Sequence, residues 1–329
     1  MERSFEISFN DLPNEPLGRR AQVLQTAIPY LVPRTLTFMR DTYSRAPLLK
    51  ECVDFVAWHL LDAPPAFLEN LAKVWYFPWA EASKELDQVL TACMLTMYKA
   101  AYDHLRRSLE LVVVGSFFTM EKTPTEKAHA WMVGEDGTPR FARTIERLIE
   151  EPHFCDLEER RRFGDSLKEL YWSLSDITHV RGIRYGFERI QPLRTSLGAC
   201  MVPEFDKTAL ANVLDRYIDV VRHIATIIAA ANPVLLVGLD MELKFGFNGP
   251  VSGFFDETQA DLLHRLILDD CRSVLDDIVE KDAGIRSLIS WYESTPDITP
   301  EELQKQAEQQ DQFFEQHRWR GGTKERWQE

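Results

Sequence analysis

The sequence predicts a mainly α-helical fold, a helical bundle built on one very long central helix, with a small β-hairpin as the one candidate for extended structure. Three observations lead there. From Trp79 to Phe118 the chain has no proline and only one glycine, Gly115. Over that run Leu86, Leu90, Cys93, Met97, Ala101, Ser108, Leu111 and Gly115 recur at the spacing of one helical face. A second run, Asp206 to Ala231, carries Leu210, Leu214, Tyr217, Val221, Ile224 and Ile228 in the same rhythm. No strand-rich block and no internal repeat interrupts the pattern.

Taken in order, Phe5-Glu-Ile-Ser-Phe9 alternates apolar and polar side chains and reads as a strand or an extended clip. Leu17 to about Leu61 reads as two or three helices divided by Pro29, Pro33 and Pro47. Pro64-Pro65 and Phe77-Pro78 read as stops followed by fresh starts. The long helix then covers Ala80 to Phe118, which at roughly forty residues would extend about 60 Å. Past Leu109 it is apolar on every side, as a buried central helix requires. Thr123 reads as an N-cap with Pro124 at the first helical position. A short helix covers Phe141 to Ile149. Another covers Asp156 to His179, with Phe163, Leu167, Leu170, Tyr171 and Leu174 on one face and Gly182 as its stop.

Beyond the helix Asp206–Ala231, the apolar pattern from Val234 to Phe247 suits a small hairpin. From Asp256 the helices are short and acidic, and the tail Glu301 to Glu329, rich in Gln, Glu and Arg, reads as partly disordered. The implied division is 1–78, an N-terminal helical region; 79–231, the helical core; 232–300, an acidic helical region; and 301–329, the polar tail.

A chain of 329 residues can bury a large core, and 45% hydrophobic with 27% charged residues suits a soluble globular protein. A net charge of −14 argues against broad nonspecific binding to nucleic acid, though a local basic pocket stays open. The arginines Arg160, Arg161, Arg162, Arg181, Arg184, Arg189 and Arg194 cluster, either as solvated faces or as an anion site. Five scattered cysteines without a CxxC pair suggest a reducing, cytoplasmic setting. Met1-Glu-Arg-Ser-Phe-Glu6 is too charged for a signal peptide. No membrane span is expected, because Leu109–Phe118 is too short and Asn232-Pro233 breaks Ile224–Leu239.

Two segments carry the candidate chemistry, His104-Leu-Arg-Arg-Ser-Leu-Glu110 and Leu174-Ser-Asp-Ile-Thr-His-Val-Arg-Gly182. Glu110 lies among Leu109, Leu111 and three valines, where an unpaired carboxylate is expensive to bury. It should therefore be buried against a cation: Arg106, Arg107 (for which Asp103 competes), His179 or Arg181. These could form a structural polar network. Equally, a histidine tuned for proton transfer beside arginines suits a phosphate or another anion. No HxxxH, HExxH or CxxC occurs, so no transition-metal site is expected, and no cofactor either, since the common nucleotide-binding loops are absent. Asp269-Asp270 and Asp276-Asp277 could hold a divalent ion, or simply form a solvated acidic face.

At these residues the chain resembles HEPN-like helical proteins (higher eukaryotes and prokaryotes nucleotide-binding), found among toxins and phage-defence modules. The likeness lies in Leu105-Arg-Arg-Ser-Leu-Glu110 on a long helix, followed by the acid-rich helix ending at His179 and Arg181, and it covers Trp79 to Ala231. The resemblance implies a homodimer in which an arginine and a histidine meet across the seam. It also implies a metal-independent ribonuclease in which a ribose 2′-OH attacks the adjacent phosphate. The implied catalytic set here is His179, Arg107, Arg106, Glu110 and Arg181, acting on or sensing RNA or a nucleotide. In this chain Arg181 follows His179 rather than preceding it. The one R-x6-H spacing, Arg216 to His223, has surroundings that look like packing. The alternative function is a noncatalytic interaction module that binds a protein partner of a defence complex.

Overall fold

The computed structural model describes residues 16–63, 72–120, 122–178, 205–246 and 251–316, and among these the regular structure is helical, with no strand. Helix α1 (Pro16–Thr37) runs through a π-helical turn, Phe38–Thr42, towards α2 (Ala46–Trp58). Then come α3 (Phe77–Met94), α4 (Tyr98–Phe118), α5 (Thr125–Met132), α6 (Phe141–Leu148), α7 (Pro152–Arg161) and α8 (Phe163–Thr178). Helix α9 (Lys207–Ala231) leads into a 3-10 turn, Pro233–Leu236, and α10 (Met241–Phe245). The described chain ends with α11 (Glu257–Leu266), α12 (Asp269–Lys281), α13 (Ala283–Ser294) and α14 (Pro300–Gln316).

The very long central helix is in fact two helices. Thr96 adopts a left-handed backbone, φ +57°, and the chain folds back on itself. The turn closes as a Schellman cap: Met97 N–H donates to Ala92 O at 2.7 Å and Thr96 N–H to Cys93 O at 3.0 Å. Glycine normally occupies such a position, and neither glycine nor proline marks this one. Helices α3 and α4 then pack antiparallel, close enough that a Cβ on Gly115 would lie 2.7 Å from Pro78 Cβ. The apolar periodicity runs across the break because each helix buries one face in the same core, through Leu86, Val89 and Cys93 on α3 and Leu105, Leu109 and Val112 on α4.

Helix α4 packs against α3, α6, α8 and α9, which makes α4 and α9 the centre of the bundle. Asp206 caps α9, its carboxylate accepting from Thr208 N at 2.8 Å and Ala209 N at 2.9 Å. Val220, Val221, Ile224, Ala225, Ile227 and Ile228 are all buried, so this half of α9 is enclosed on every side. Each such large aliphatic side chain contributes about 1.5–3 kcal/mol by leaving water. The apolar core is continuous from Phe38 to Ile278.

Other boundaries also move. Pro29 and Pro33 sit inside α1 instead of dividing it. Both rings are exposed, so water can satisfy the carbonyls their missing N–H groups leave open. Thr123 is not a cap: its hydroxyl donates to Phe117 O at 2.9 Å, and Pro124 holds the N-cap position of α5. The helix expected from Asp156 to His179 breaks at Arg162, φ +52°, where the Glu158 carboxylate accepts the Gly164 N–H at 2.6 Å and opens α8. The hairpin expected near Val234–Phe247 is replaced by the 3-10 turn and α10, because Pro233 starts a helical turn. Within the tail read as partly disordered, Pro300–Gln316 is helix α14, started by Thr299 and Glu302 bonding each other's backbone and side chain. The expected strand near Phe5 and the stop at Gly182 lie outside the described residues. Among the described residues, no helix is long and apolar enough to cross a membrane.

Candidate functional site

Arg106 and Arg107 are adjacent in sequence and therefore about 100° apart around α4. The fold gives them different neighbours. Arg106 turns towards α8, where its guanidinium donates to Glu110 Oε1 at 3.2 Å and to the Tyr171 hydroxyl at 2.9 Å. Tyr171 in turn donates to Glu110 Oε1 at 2.6 Å, closing a triangle. The Tyr171 ring stacks on Phe141 with centroids 3.9 Å apart, and the Arg106 guanidinium lies over the Tyr171 ring, 5.1 Å from its centroid. Burial first, then the bond to Glu110, pushes the Tyr171 phenol above its ordinary range. Burial alone would lower the Arg106 guanidinium, but Glu110 and Tyr171 together hold it above its usual value.

Glu110 thus has its expected arginine, although it is half-buried rather than buried, with 26% of its side chain exposed. Its shortest bond is to Tyr171, whose spacing in the sequence marks it only as part of an apolar face. A signal was present, since a tyrosine on a buried stripe usually needs a partner for its hydroxyl.

Arg107 turns towards α3. It meets Asp103 at 3.1 Å and Glu85 at 3.4 Å, and its Nη2 lies 3.2 Å from Nδ1 of His104. His104 Nδ1 is also 2.6 Å from Glu85 Oε2, and in the tautomer that serves this carboxylate Nδ1 donates to it, with Arg107 beside the ring and not bonded to it. The ring's other nitrogen is then left as an acceptor. His104 and Glu85 are each about a fifth exposed, and Arg107 nearly half. Nothing local in the sequence marks His104 for a role. Glu85 could be paired with it only once the α3–α4 turn was known.

His179 and Arg181 lie outside the described residues, so nothing places them beside Arg106 or Glu110. Arg216 and His223 do not meet as a pair. Arg216 bonds Asp219 at 3.2 Å, while buried His223 donates from Nδ1 to Asp219 O at 2.7 Å and accepts from Ser166 at Nε2, 3.0 Å away. Burial chiefly lowers the His223 pKa, which suits a neutral structural imidazole. Three of the four acids of these pairs are drawn into ion pairs: Asp269 with Arg222 and Arg272, Asp276 with His264, Asp277 with Arg160 and Lys281. Among the described residues no three His, Cys, Asp or Glu side chains converge as metal ligands would. Cys52, Cys93, Cys155 and Cys271 are free thiols.

Comparison with known protein families, with curated proteins and with solved structures finds no match to this chain.

Proposed function

We propose that this is a HEPN-like helical protein that acts on or senses RNA or a nucleotide in a bacterial stress or antiphage system, with metal-independent ribonuclease chemistry as its activity. The observation that carries the reading is the group Glu85, His104 and Arg107. A carboxylate 2.6 Å from Nδ1 orients the imidazole, and a guanidinium lies beside the same ring. Histidine is the side chain suited to take and return a proton near neutral pH. In this scheme His104 Nε2 accepts the proton of a ribose 2′-OH and the 2′-oxygen bonds to phosphorus. The P–O5′ bond breaks, and the leaving oxygen takes a proton from water, while Arg107 faces the charge that builds on the phosphate. His179 and Arg181 would complete the site, and two copies of the chain would meet at it.

Incubation with single-stranded RNA in EDTA tests the reading. Cleavage should persist in EDTA and fall by about a hundredfold or more in His104→Ala and in Arg107→Ala. Light scattering at micromolar concentration should give a dimer. Variants that cleave as wild type does would remove His104 and Arg107 from the chemistry.

A second reading has an observation of its own. Arg106 is closed against Glu110 and Tyr171, and Arg107 is held between two carboxylates, as scaffolding would be. A wild type that cleaves no RNA favours this noncatalytic interaction module.

A further inference from the structure

At the α5–α6 end of the molecule is a cleft of about 870 Å³ lined by Lys127, Arg140, Arg143 and Arg147, with Phe117 in its wall. Cations are in short supply in a chain of net charge −14, and elsewhere carboxylates hold them, Arg160 by Asp277 and Arg265 by Glu51 for example. Arg140, Arg143 and Arg147 are exposed, and among the described residues none has a carboxylate within ion-pair distance. Four cations outnumber the two acids of the cleft, of which Glu146 faces Lys168 at 3.9 Å and Asp136 accepts the neighbouring Gly137 N–H at 2.9 Å. Lys127 Nζ lies 5.7 Å from the centroid of the Phe117 ring.

The spacing narrows the ligand. Arg143 and Arg147 are one turn apart on α6 and Arg140 holds its N-cap position, together a row about 10 Å long. A single phosphate is best held by cations converging on a point, whereas a row suits successive phosphates of one strand. An aromatic edge adjoins the row. The Trp131 indole N–H donates at 3.2 Å to Thr138, which lies between the cleft residues Gly137 and Pro139. Phe77, 43% exposed, meets Trp131 edge-on with centroids 5.7 Å apart, and exposed Trp75 and Tyr76 precede it. Cations tracking a backbone beside aromatic faces are what an unpaired strand needs, because bases stack on such faces whatever their identity.

We propose that the α5–α6 cleft binds single-stranded nucleic acid, with its phosphates along Arg140, Arg143 and Arg147 and its bases against the Phe77 edge. The inference does not depend on the chemistry proposed for His104, which lies about 20 Å from Phe117 along α4.

Anisotropy of fluorescein-labelled polydeoxythymidylate with the full chain tests it. This probe lacks a 2′-hydroxyl, so binding and cleavage fail separately. Affinity should fall with salt at about −0.7 in log–log slope per engaged cation, roughly −2 to −3 overall. Arg143→Glu with Arg147→Glu should weaken binding at least about tenfold and reduce the slope by about 1.4. The corresponding pair of lysine substitutions should keep the slope. Phe77→Ala should weaken binding about tenfold with the slope unchanged, and Arg286→Ala, remote from the cleft lining, should bind as wild type does. Circular dichroism shows whether each variant is folded, and if the charge-reversed pair is not, the pair of alanine substitutions replaces it. The proposal is overturned if wild type does not bind at about 50 mM salt, if folded charge-reversed protein binds as wild type, or if polyglutamate displaces the strand as well as unlabelled polydeoxythymidylate does. That last result would identify an acidic polypeptide as the ligand.

Discussion

Arg106 and Arg107 have the same side chain, the same helix and nearly the same height along it, yet the two faces they serve are built in opposite ways. On the α8 side the guanidinium, the Glu110 carboxylate and the Tyr171 phenol satisfy one another, and Phe141 covers the ring. On the α3 side Arg107 stands nearly half exposed between Asp103 and Glu85, beside a histidine with a free acceptor nitrogen. Charge pairs of similar length differ in worth because water screens Arg107 and Asp103, each nearly half exposed, more than it screens Arg106 and Glu110 at 21% and 26%. The closed face is therefore expected to hold the fold together, and the open face to be dispensable for stability and available for chemistry.

The largest effect should come from breaking the closed face. Tyr171→Ala removes the stacked ring and both hydroxyl bonds and should destabilise the protein by about 3–5 kcal/mol in urea unfolding. Tyr171→Phe keeps the ring and should lose roughly 1–2 kcal/mol, because Glu110 and Arg106 each lose a partner. The pH dependence separates the hydroxyl from the ring. The folded state raises the Tyr171 pKa, so its contribution is complete below the ordinary tyrosine value of about 10 and is lost as pH rises beyond it. Tyr171→Phe should lack that part of the alkaline decline. If the two proteins decline alike, the phenol is not coupled to Glu110 as described.

How much of this was legible in the sequence follows from which forces act locally. The helices were readable because burial imposes a periodicity on them, and that periodicity marks α4, α8 and α9 clearly. The α3–α4 turn was not readable. The signals that announce a turn are glycine and proline, and here a threonine takes the left-handed position because the two helices gain a long packed seam by folding back. The candidate site was half legible for the same reason. Arg106 with Glu110 is a contact within one helix, one turn apart, and the spacing gives it. Glu85 with His104, and Tyr171 with Glu110, are contacts between elements, which exist only once the hairpin and the seat of α8 on α4 are formed.

Thr96 sharpens the comparison from the side of the hairpin, since its turn brings Glu85 opposite His104. The residue is buried, its left-handed backbone is strained for a β-branched side chain, and its hydroxyl finds no hydrogen-bond partner among the described residues. Thr96→Gly relieves the strain and removes the hydroxyl, against a loss of about 1 kcal/mol from the greater freedom of glycine in the unfolded chain. The net expectation is a gain of about 1 kcal/mol in thermal or urea unfolding, with any RNA cleavage unchanged. A loss of stability would mean that the threonine methyl packs well enough to outweigh its backbone.

The smallest effect on stability should come from the open face, and it tests the comparison most directly. Arg107→Ala removes a cation that touches two carboxylates and a histidine, which on a count of contacts would be a serious loss. Exposure argues otherwise. Ion pairs this open to water are worth about 0.2–1 kcal/mol, and here the loss is smaller still, because removing Arg107 leaves Asp103 free to hydrate and Glu85 bonded to His104. Arg107→Ala should therefore shift unfolding by no more than about 0.5 kcal/mol, and a double-mutant cycle with Asp103→Asn should give a coupling of that order that shrinks as salt is added. Any RNA cleavage, by contrast, should be lost in the same variant. A destabilisation comparable to that of Tyr171→Phe would show that both faces are structural, and the open face would then lose its claim to chemistry.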